Sequence, residues 1–361
     1  MRLATGCAVL LSLMMHSVSA QEQPDPELMQ SRGVEFLRSM QRDNGAWTTD
    51  DSVGITAIVT SALLRSGLTA DDSTVSQGLQ FLVEHQTPEG GIHAPVSRHE
   101  NYETCVALIA LAEANQDGRF EEQINKAENY LRGLQWDEGE GIESGDAFYG
   151  GGGYDSKQRP DMSNTQFLVD ALKKAGVAED DPAMQKVLVF VSRAQNLETE
   201  FNTMPFAGKV NDGGFIYTPA KGGDSKAGLT ENGGFQSYGS MTYAGLKSLI
   251  YAGLDRDDVR VQAATEWIRR HYTLQNNPRM GQQGLFYYFH TFAKTMAALD
   301  EHPFVTEDGE RHDWKAELIQ RLGQLQRANG SWINPADRWY EGDPNLVTAY
   351  SLLALSYCVE D

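Results

Sequence analysis

The sequence predicts an all-α protein in which six helical hairpins close into a ring, an α6/α6 toroid. Two observations lead to this fold class. One pattern is repeated six times along the chain, and the two helices of each copy differ in how their apolar residues are distributed. Helical repeats bury a continuous core by stacking each unit on its neighbour, so one unit indicates the architecture of the whole array.

Each copy of the pattern has an amphipathic stretch that ends in Gln, then a Gly-rich turn, and then a Thr that opens an apolar run. The six glutamines are Gln41, Gln86, Gln135, Gln195, Gln275 and Gln326. The matching threonines are Thr56, Thr104, Thr165, Thr242, Thr291 and Thr348. A Leu follows seven residues after each Thr, except in the fifth copy, where it slips to Leu299. The regular spacing favours six equivalent structural units.

The two helices of each copy differ in polarity. The first, for example residues 33–40, mixes charged and apolar residues and has one polar face. The second, for example residues 55–64 or 346–357, is apolar on nearly all sides and must therefore be surrounded. This alternation predicts an outer ring of helices around an inner ring. Six such pairs can close on themselves, which removes the need for the terminal caps of an open array.

Glycines and long insertions mark the ends of the inner helices. Gly67, Gly176 and Gly253 follow apolar runs, where a residue with left-handed backbone conformation commonly ends a helix. Two Gly-rich insertions, residues 139–154 and 207–235, lie between an outer and an inner helix. Both are therefore expected over the same end of the ring, where long structured loops are often functional.

The first twenty residues have the features of a secretory signal peptide. Arg2 precedes an apolar run at residues 7–15, and the small-residue site at 18–20 favours cleavage near Ala20. The run is too short to span a membrane. We therefore expect residues 21–361 to form a single exported domain, periplasmic or extracellular.

The charge of the chain limits its partners. The formal net charge is -20 and no basic run is present, so nucleic acid and anionic membrane surfaces are poor partners. Cys105 and Cys358 lie in apolar runs, which favours buried free thiols over a disulfide.

Two segments carry a family resemblance. QRDNGAW at residues 41–47 and QRANGSW at 326–332 resemble the QW repeat of squalene–hopene and oxidosqualene cyclases. The stretches RGVEFLRSMQ and KAENYLRGLQ match the residues that precede this repeat. The resemblance covers residues 32–358 and extends to the β subunits of protein prenyltransferases. It implies the toroid fold, and it implies that the Gln and Trp residues join neighbouring repeats without touching substrate.

The resemblance also suggests a proton donor. Squalene cyclases protonate an alkene with a DxDD motif, and the nearest segment here is TTDD at residues 48–51. This implies Asp50 as the acid with Asp51 beside it, although Thr48 replaces the first Asp. The alternative is that Asp51 and Ser52 cap the first inner helix while Asp50 is solvated.

The zinc ligands of the prenyltransferases are largely missing. Their Asp and Cys correspond to Ser240 and Thr242, and only the His is matched, by His290. A lone neutral imidazole does not hold zinc against water, so we predict no metal and no cofactor. His290 is kept as a third candidate catalytic residue.

Polar and aromatic side chains collect where the inner helices are predicted to begin. The candidate ligand-binding residues are Tyr102, Glu103, Asp161, Asn164, Tyr243, Tyr287, Tyr288, Glu341 and Asp343. Carboxylates beside aromatic rings suit carbocation chemistry, but they equally suit a sugar or the capping of helices. Trp339 and Tyr340 either close the rim of a cavity or fill a gap between repeats. Asp170, Lys247 and Lys294 lie inside inner helices and are expected to pair across repeats or to face the lumen.

Three functions remain open from the sequence. The first is an exported, squalene-cyclase-like toroid that binds a small apolar isoprenoid ligand in its cavity and, if catalytic, cyclises it. The second is a carbohydrate-active hydrolase or lyase that binds an oligosaccharide between paired carboxylates, such as Asp161 and Glu341. The third is a non-catalytic scaffold whose lumen is plugged by side chains or by the 207–235 insertion.

Overall fold

The computed structural model describes residues 24–359, so the predicted signal peptide lies outside the described residues. The fold is an all-α toroid, as predicted. The outer helices are α1 (Pro26–Met40), α3 (Ser73–Glu84), α5 (Glu121–Arg132), α7 (Pro182–Ala194), α10 (Val259–His271) and α12 (Trp314–Leu325). The inner helices are α2 (Val53–Arg65), α4 (Glu100–Ala114), α6 (Met162–Lys174), α9 (Gly239–Tyr251), α11 (Leu285–Leu299) and α13 (Pro344–Leu355). A short helix α8 (Ala207–Val210) and an antiparallel pair, β1 (Phe304–Val305) and β2 (Arg311–His312), lie in connecting segments.

The inner helices form a closed ring in chain order. Each of α2, α4, α6, α9 and α11 packs against the next inner helix, and α13 packs back against α2. In α9 every residue from Gly239 to Leu249 is buried, whereas α10 outside it buries one face only. This difference follows from the polarity of the two helix types, since a helix without a polar face is stable only when it is surrounded.

The repeated Gln joins each repeat to the next in five of the six copies. Its side-chain amide donates to the Gly carbonyl of its own turn and to a carbonyl at the start of the next outer helix. For Gln41 the acceptors are Gly45 O at 3.1 Å and Thr74 O at 2.9 Å. For Gln326 they are Gly330 O at 3.0 Å and Met29 O at 2.9 Å, so the sixth repeat is joined to the first. Within residues 24–359, Gln275 is exposed and its side chain makes neither bond.

The repeated Thr fixes the turn onto the start of the inner helix. Thr56 Oγ1 accepts from Trp47 N at 3.2 Å, and Thr348 Oγ1 accepts from Trp332 N at 3.1 Å. Both indole rings are fully buried and donate from Nε1 to a carbonyl of the preceding outer helix at 2.8 Å. The pattern found in the sequence is therefore one hydrogen-bonded corner used repeatedly.

Gln326, which joins the sixth repeat to the first, allows the contribution of these hydrogen bonds to stability to be tested directly. Gln326→Ala removes two hydrogen bonds and leaves two carbonyls without their donor, so we expect the free energy of unfolding to fall by about 1–2 kcal/mol. Gln275→Ala is the matched control and should change it by less than about 0.5 kcal/mol, because that side chain makes no such bonds. Urea unfolding followed by circular dichroism measures both. Equal losses for the two variants would contradict the proposed role of the Gln.

Several local predictions are confirmed. Gly67, Gly176 and Gly253 have φ values of +90°, +85° and +92° just beyond their inner helices. Cys105 and Cys358 are buried free thiols. Between residues 24 and 359, no helix combines the length and the apolar character needed to cross a bilayer.

Candidate functional site

A cavity of about 670 Å³ lies at the end of the ring where the inner helices begin. The first turns of all six inner helices contribute to its walls. The tyrosines in the walls are Tyr102, Tyr154, Tyr217, Tyr238, Tyr287, Tyr340 and Tyr350. Between them lie the hydroxyl and amide groups of Thr48, Thr49, Ser52, Ser97, Ser163, Asn164 and Ser240. The cavity therefore offers aromatic faces and many hydrogen-bonding groups together, and the 207–235 insertion does not plug it.

Glu341 is the buried carboxyl group of the cavity wall. Its side chain sits at the beginning of α11, where Oε1 accepts from Tyr287 N at 2.7 Å. Oε2 accepts from Asn334 Nδ2 at 2.6 Å. Only 1% of the residue is exposed, and this burial raises the pKa of Glu341 to about 7, although both donors act to lower it. The group is therefore held in one position and carries a proton for part of the time at neutral pH.

Glu103 provides a second carboxyl group on another wall. It lies in the first turn of α4, is half-buried, and accepts from Ala94 N at 3.1 Å through Oε2. Burial raises its pKa above the ordinary value. In the ring order α2, α4, α6, α9, α11, α13, helices α4 and α11 are opposite each other. Glu103 and Glu341 therefore belong to opposite walls of one cavity.

The two aspartates of the TTDD segment lie in different environments. Asp51 lines the cavity and accepts from Thr49 Oγ1 at 2.8 Å. Asp50 does not line it; its side chain is 74% exposed and pairs on the surface with Arg42 Nε at 2.5 Å. A strong acid for an alkene needs a dry pocket, so this geometry argues against Asp50 as the proton donor. Ser52 occupies the N-cap position directly before α2, but its side chain makes no capping hydrogen bond.

Asp161 and Asp343 are helix caps and do not line the cavity. Asp161 Oδ1 accepts from Asn164 N at 3.0 Å at the start of α6. Asp343 Oδ1 accepts from Asn345 N at 2.7 Å at the start of α13. Both aspartates occupy the N-cap position, where the side chain accepts a hydrogen bond from the first turn of its own helix. The capping interpretation is therefore correct for both. The expected pair of Asp161 and Glu341 across the cavity is therefore not formed, whereas Asn164 does reach the wall.

Tyr243 and Tyr288 belong to the core between α9 and α11, and neither lines the cavity. Their rings pack edge to face with centroids 5.4 Å apart, and Tyr288 Oη donates to Thr273 O at 2.8 Å. Tyr287, one residue earlier, faces the cavity instead. Consecutive helical residues point about 100° apart, and at this position of α11 only Tyr287 points toward the cavity.

His290 is also buried in the core and lies outside the cavity lining. Its ring stacks on Tyr350 with centroids 5.6 Å apart and an interplanar angle of 19°. Burial, with the positive charge of Lys294, keeps its pKa well below the ordinary value, so the imidazole is neutral at pH 7. His290 does not line the cavity, and the expectation of a catalytic role there is not supported by its position.

A buried charged cluster lies beneath the cavity, which confirms the predicted pairing across repeats. Lys247 Nζ and Lys294 Nζ each lie 2.7 Å from Asp170 Oδ2. Burial lowers the pKa of Lys247 to about 7 against the pull of Asp170, and repulsion from Lys294 adds to the effect. Lys247 also donates to Gln166 Oε1, while Gln166 Nε2 donates to Tyr287 Oη at 3.3 Å. Hydrogen bonds therefore connect the cluster to the cavity wall.

Part of the chain matches a known protein family. The model of the squalene-hopene cyclase C-terminal domain matches residues 48–217. The predicted resemblance to this family is therefore confirmed over these residues, which make up somewhat less than half of the chain. The matched segment includes the starts of α2, α4 and α6 and ends at Tyr217. It therefore contains many of the residues that line the cavity.

Enzymes with different activities have solved structures that are similar to this fold. The type II terpene cyclase MstE from Scytonema is 12% identical, with a TM-score of 0.54 over 92% of this chain and 97% of that chain. The GH76A alpha-1,6-mannanase from Salegentibacter sp. HEL1_6 is 10% identical, with a TM-score of 0.61 over 93% and 100%. The cellobiose 2-epimerase from Bacillus thermoamylovorans B4167 is 11% identical, with a TM-score of 0.55 over 91% and 98%. At these identities the likeness shows the toroid fold alone, which serves both terpenoid and sugar enzymes.

Sequence reasoning missed four tyrosines of the cavity. Tyr154 and Tyr217 come from the two Gly-rich insertions, which cover this end of the ring as predicted. Tyr238 directly precedes α9, and Tyr350 lies in the second turn of α13. The two insertions were the sequence signal that could have indicated Tyr154 and Tyr217, because each insertion brings one tyrosine to the cavity.

Proposed function

We propose that this protein is carbohydrate-active: it binds a neutral oligosaccharide in the cavity, and Glu341 and Glu103 transfer protons to or from it. The observation that carries the proposal is the placement of two carboxyl groups with raised pKa values on opposite walls of one tyrosine-lined cavity. Carboxyl groups whose environments differ are the usual means by which one site supplies an acid and a base.

The acid strength of Glu341 favours a sugar over an alkene. A group with a pKa of about 7 can protonate a leaving oxygen or accept a proton at neutral pH. An alkene is a much weaker base and requires a stronger acid in a dry pocket. The many hydroxyl and amide groups of the wall also match a ligand rich in hydroxyl groups, with tyrosine rings available for its apolar faces.

Two sugar enzymes that share the fold supply probes for this proposal. A mannanase and an epimerase of cellobiose share the fold with TM-scores of 0.61 and 0.55. Their sugars, α-1,6-mannotriose and cellobiose, are therefore the first compounds to try.

The experiment measures product formation by the purified protein. It is incubated with α-1,6-mannotriose, cellobiose or mannose, and products are followed by NMR and mass spectrometry. Glu341→Gln and Glu103→Gln should each reduce turnover by about 10²–10⁴-fold, the usual contribution of a general acid or base. Glu231→Gln is the control, because Glu231 is exposed and does not line the cavity. Thermal shift on the same panel reports binding without turnover.

An isoprenoid is the second candidate ligand, favoured by the match to the cyclase family over residues 48–217. Tyr102, Phe167 and Tyr287 give the cavity aromatic faces that would attract a carbocation. The panel therefore includes squalene and shorter isoprenoids in detergent. A rise in melting temperature with an isoprenoid, and none with any sugar, would reject the carbohydrate proposal.

We also propose export of the protein, which rests on the predicted signal peptide. N-terminal sequencing of the protein from a secreting host tests it directly. Cleavage near Ala20 is expected, and an intact N-terminus inside the cell would contradict export.

A further inference from the structure

Two consecutive aromatic residues at the mouth of the cavity have an unusual backbone conformation. Trp339 and Tyr340 both line the cavity, and their φ values are +59° and +64°. Bulky residues seldom adopt positive φ, because the side chain then crowds the backbone. Such strain persists only where surrounding contacts impose it, and it is concentrated at functional sites.

Contacts on both sides hold this segment in place. Asn334 N donates to Glu341 O and Asp343 N donates to Tyr340 O, each at 2.9 Å. The ring of Trp339 lies over Gly284, where an added Cβ would come within 3.1 Å of it. The guanidinium of Arg338 also lies over this ring, 4.2 Å from its centroid. The segment is therefore fixed immediately before Glu341.

Packing accounts for only part of the Trp339 ring and for little of the Tyr340 ring. Tyr340 is 75% exposed and Trp339 is 42% exposed, so both leave large apolar surfaces in water. Val96, on the loop before α4, also lines the cavity and is 94% exposed. Exposed aromatic surface around a cavity opening is typical of a contact surface for a ligand.

We propose that Trp339 and Tyr340 form a stacking subsite that binds the apolar C–H face of one sugar ring at the cavity mouth. The next ring of the chain then enters the cavity beside Glu341, the residue that follows Tyr340 in sequence. This inference rests on the proposed carbohydrate function and makes it more specific. The ligand is an oligosaccharide of at least two rings, and monosaccharides bind poorly because they occupy only one of the two positions.

Binding measurements test the subsite. Isothermal titration with α-1,6-mannotriose and cellobiose is compared with mannose and glucose, for the wild type and Tyr340→Gly. We expect the variant to bind the oligosaccharides about tenfold more weakly, which corresponds to the loss of one stacked ring. Trp339 is the most exposed of the six tryptophans, so oligosaccharide binding should also change the indole fluorescence.

A measurement without ligand tests the strain. Tyr340→Gly should raise the melting temperature by about 1–2 °C, because glycine adopts positive φ without crowding and the exposed ring has little packing to lose. Lys221→Gly is the matched control, since Lys221 is exposed with φ +55° and does not line the cavity. It should give a similar rise with unchanged sugar binding.

The outcomes separate the two proposals. If no sugar binds the wild type, the carbohydrate function fails and the subsite fails with it. If oligosaccharides bind the wild type and Tyr340→Gly equally, the function stands and the subsite is rejected. A lower melting temperature for Tyr340→Gly would show that the tyrosine is there for stability, which also overturns the inference.

Discussion

Replacing Asp170 with asparagine is expected to lower the free energy of unfolding by about 3–5 kcal/mol. The carboxylate is the shared partner of two buried ammonium groups, each 2.7 Å from Oδ2. The exposed fraction of the side chain is 1% for Asp170 and Lys247 and 10% for Lys294, so water cannot replace the lost charge. An asparagine of the same size would leave the two lysines facing each other without a counter-charge.

A second variant separates the loss of charge balance from the loss of packing. Asp170→Leu/Lys247→Met/Lys294→Met replaces the whole cluster with apolar side chains of similar volume. Buried charge networks replaced in this way often leave stability unchanged or increased, although Gln166 here loses the donor to its Oε1. We expect the triple variant to be within about 1 kcal/mol of the wild type. Urea unfolding at pH 7 measures both variants, and a triple variant as unstable as Asp170→Asn would contradict this account.

The ring could be predicted from the sequence because one local structure is used repeatedly. In five of the six copies the Gln amide and the Thr hydroxyl each bond to the turn of their own repeat, so their identity and spacing survive in the sequence. The fifth copy shows the limit of this reasoning. Gln275 is exposed and Thr291 bonds only within α11, to Tyr287 O and Tyr288 O. The slip to Leu299 was the sequence signal of this departure, but it did not reveal which contacts were lost.

The cavity was harder to predict because caps and ligand-facing residues occupy the same helix starts. Asp161 and Asp343 bond the backbone of their own helices and are withdrawn from the cavity. Glu341 instead reaches the start of a different helix, α11, whose own N-cap residue is Gly284 and has no side chain. That choice depends on the path of the chain from residue 334 to 343. No short-range pattern in the sequence encodes that path.

It was equally difficult to predict from the sequence which aromatic residues face the cavity. Tyr287 and Tyr288 are adjacent, yet one faces the cavity and the other packs in the core. Periodicity predicts that they diverge, but the rotation of α11 about its axis decides which faces inward. That rotation is set by packing against α9 and α13, which involves residues far apart in the sequence.

The pH dependence of stability should carry the signature of Glu341. Its folded-state pKa is about 7 against an ordinary value of 4.5, so between these two pH values the folded protein keeps a proton that the unfolded chain has released. Stability therefore falls as the pH rises through this interval, and it levels off once both states are ionised. The expected loss from this one group is about 3 kcal/mol.

Glu341→Gln isolates this contribution, because glutamine stays neutral at every pH. The variant and the wild type should have similar free energies of unfolding at pH 4.5, and the variant should be more stable by about 3 kcal/mol at pH 8. Burial also raises the pKa of Asp161, but that group is present in both proteins and cancels in the difference. Urea unfolding at four pH values between 4.5 and 8 provides the measurement. A difference that does not change with pH would mean that Glu341 ionises as freely as a solvated carboxylate, and it would remove the physical basis for its role as a proton carrier.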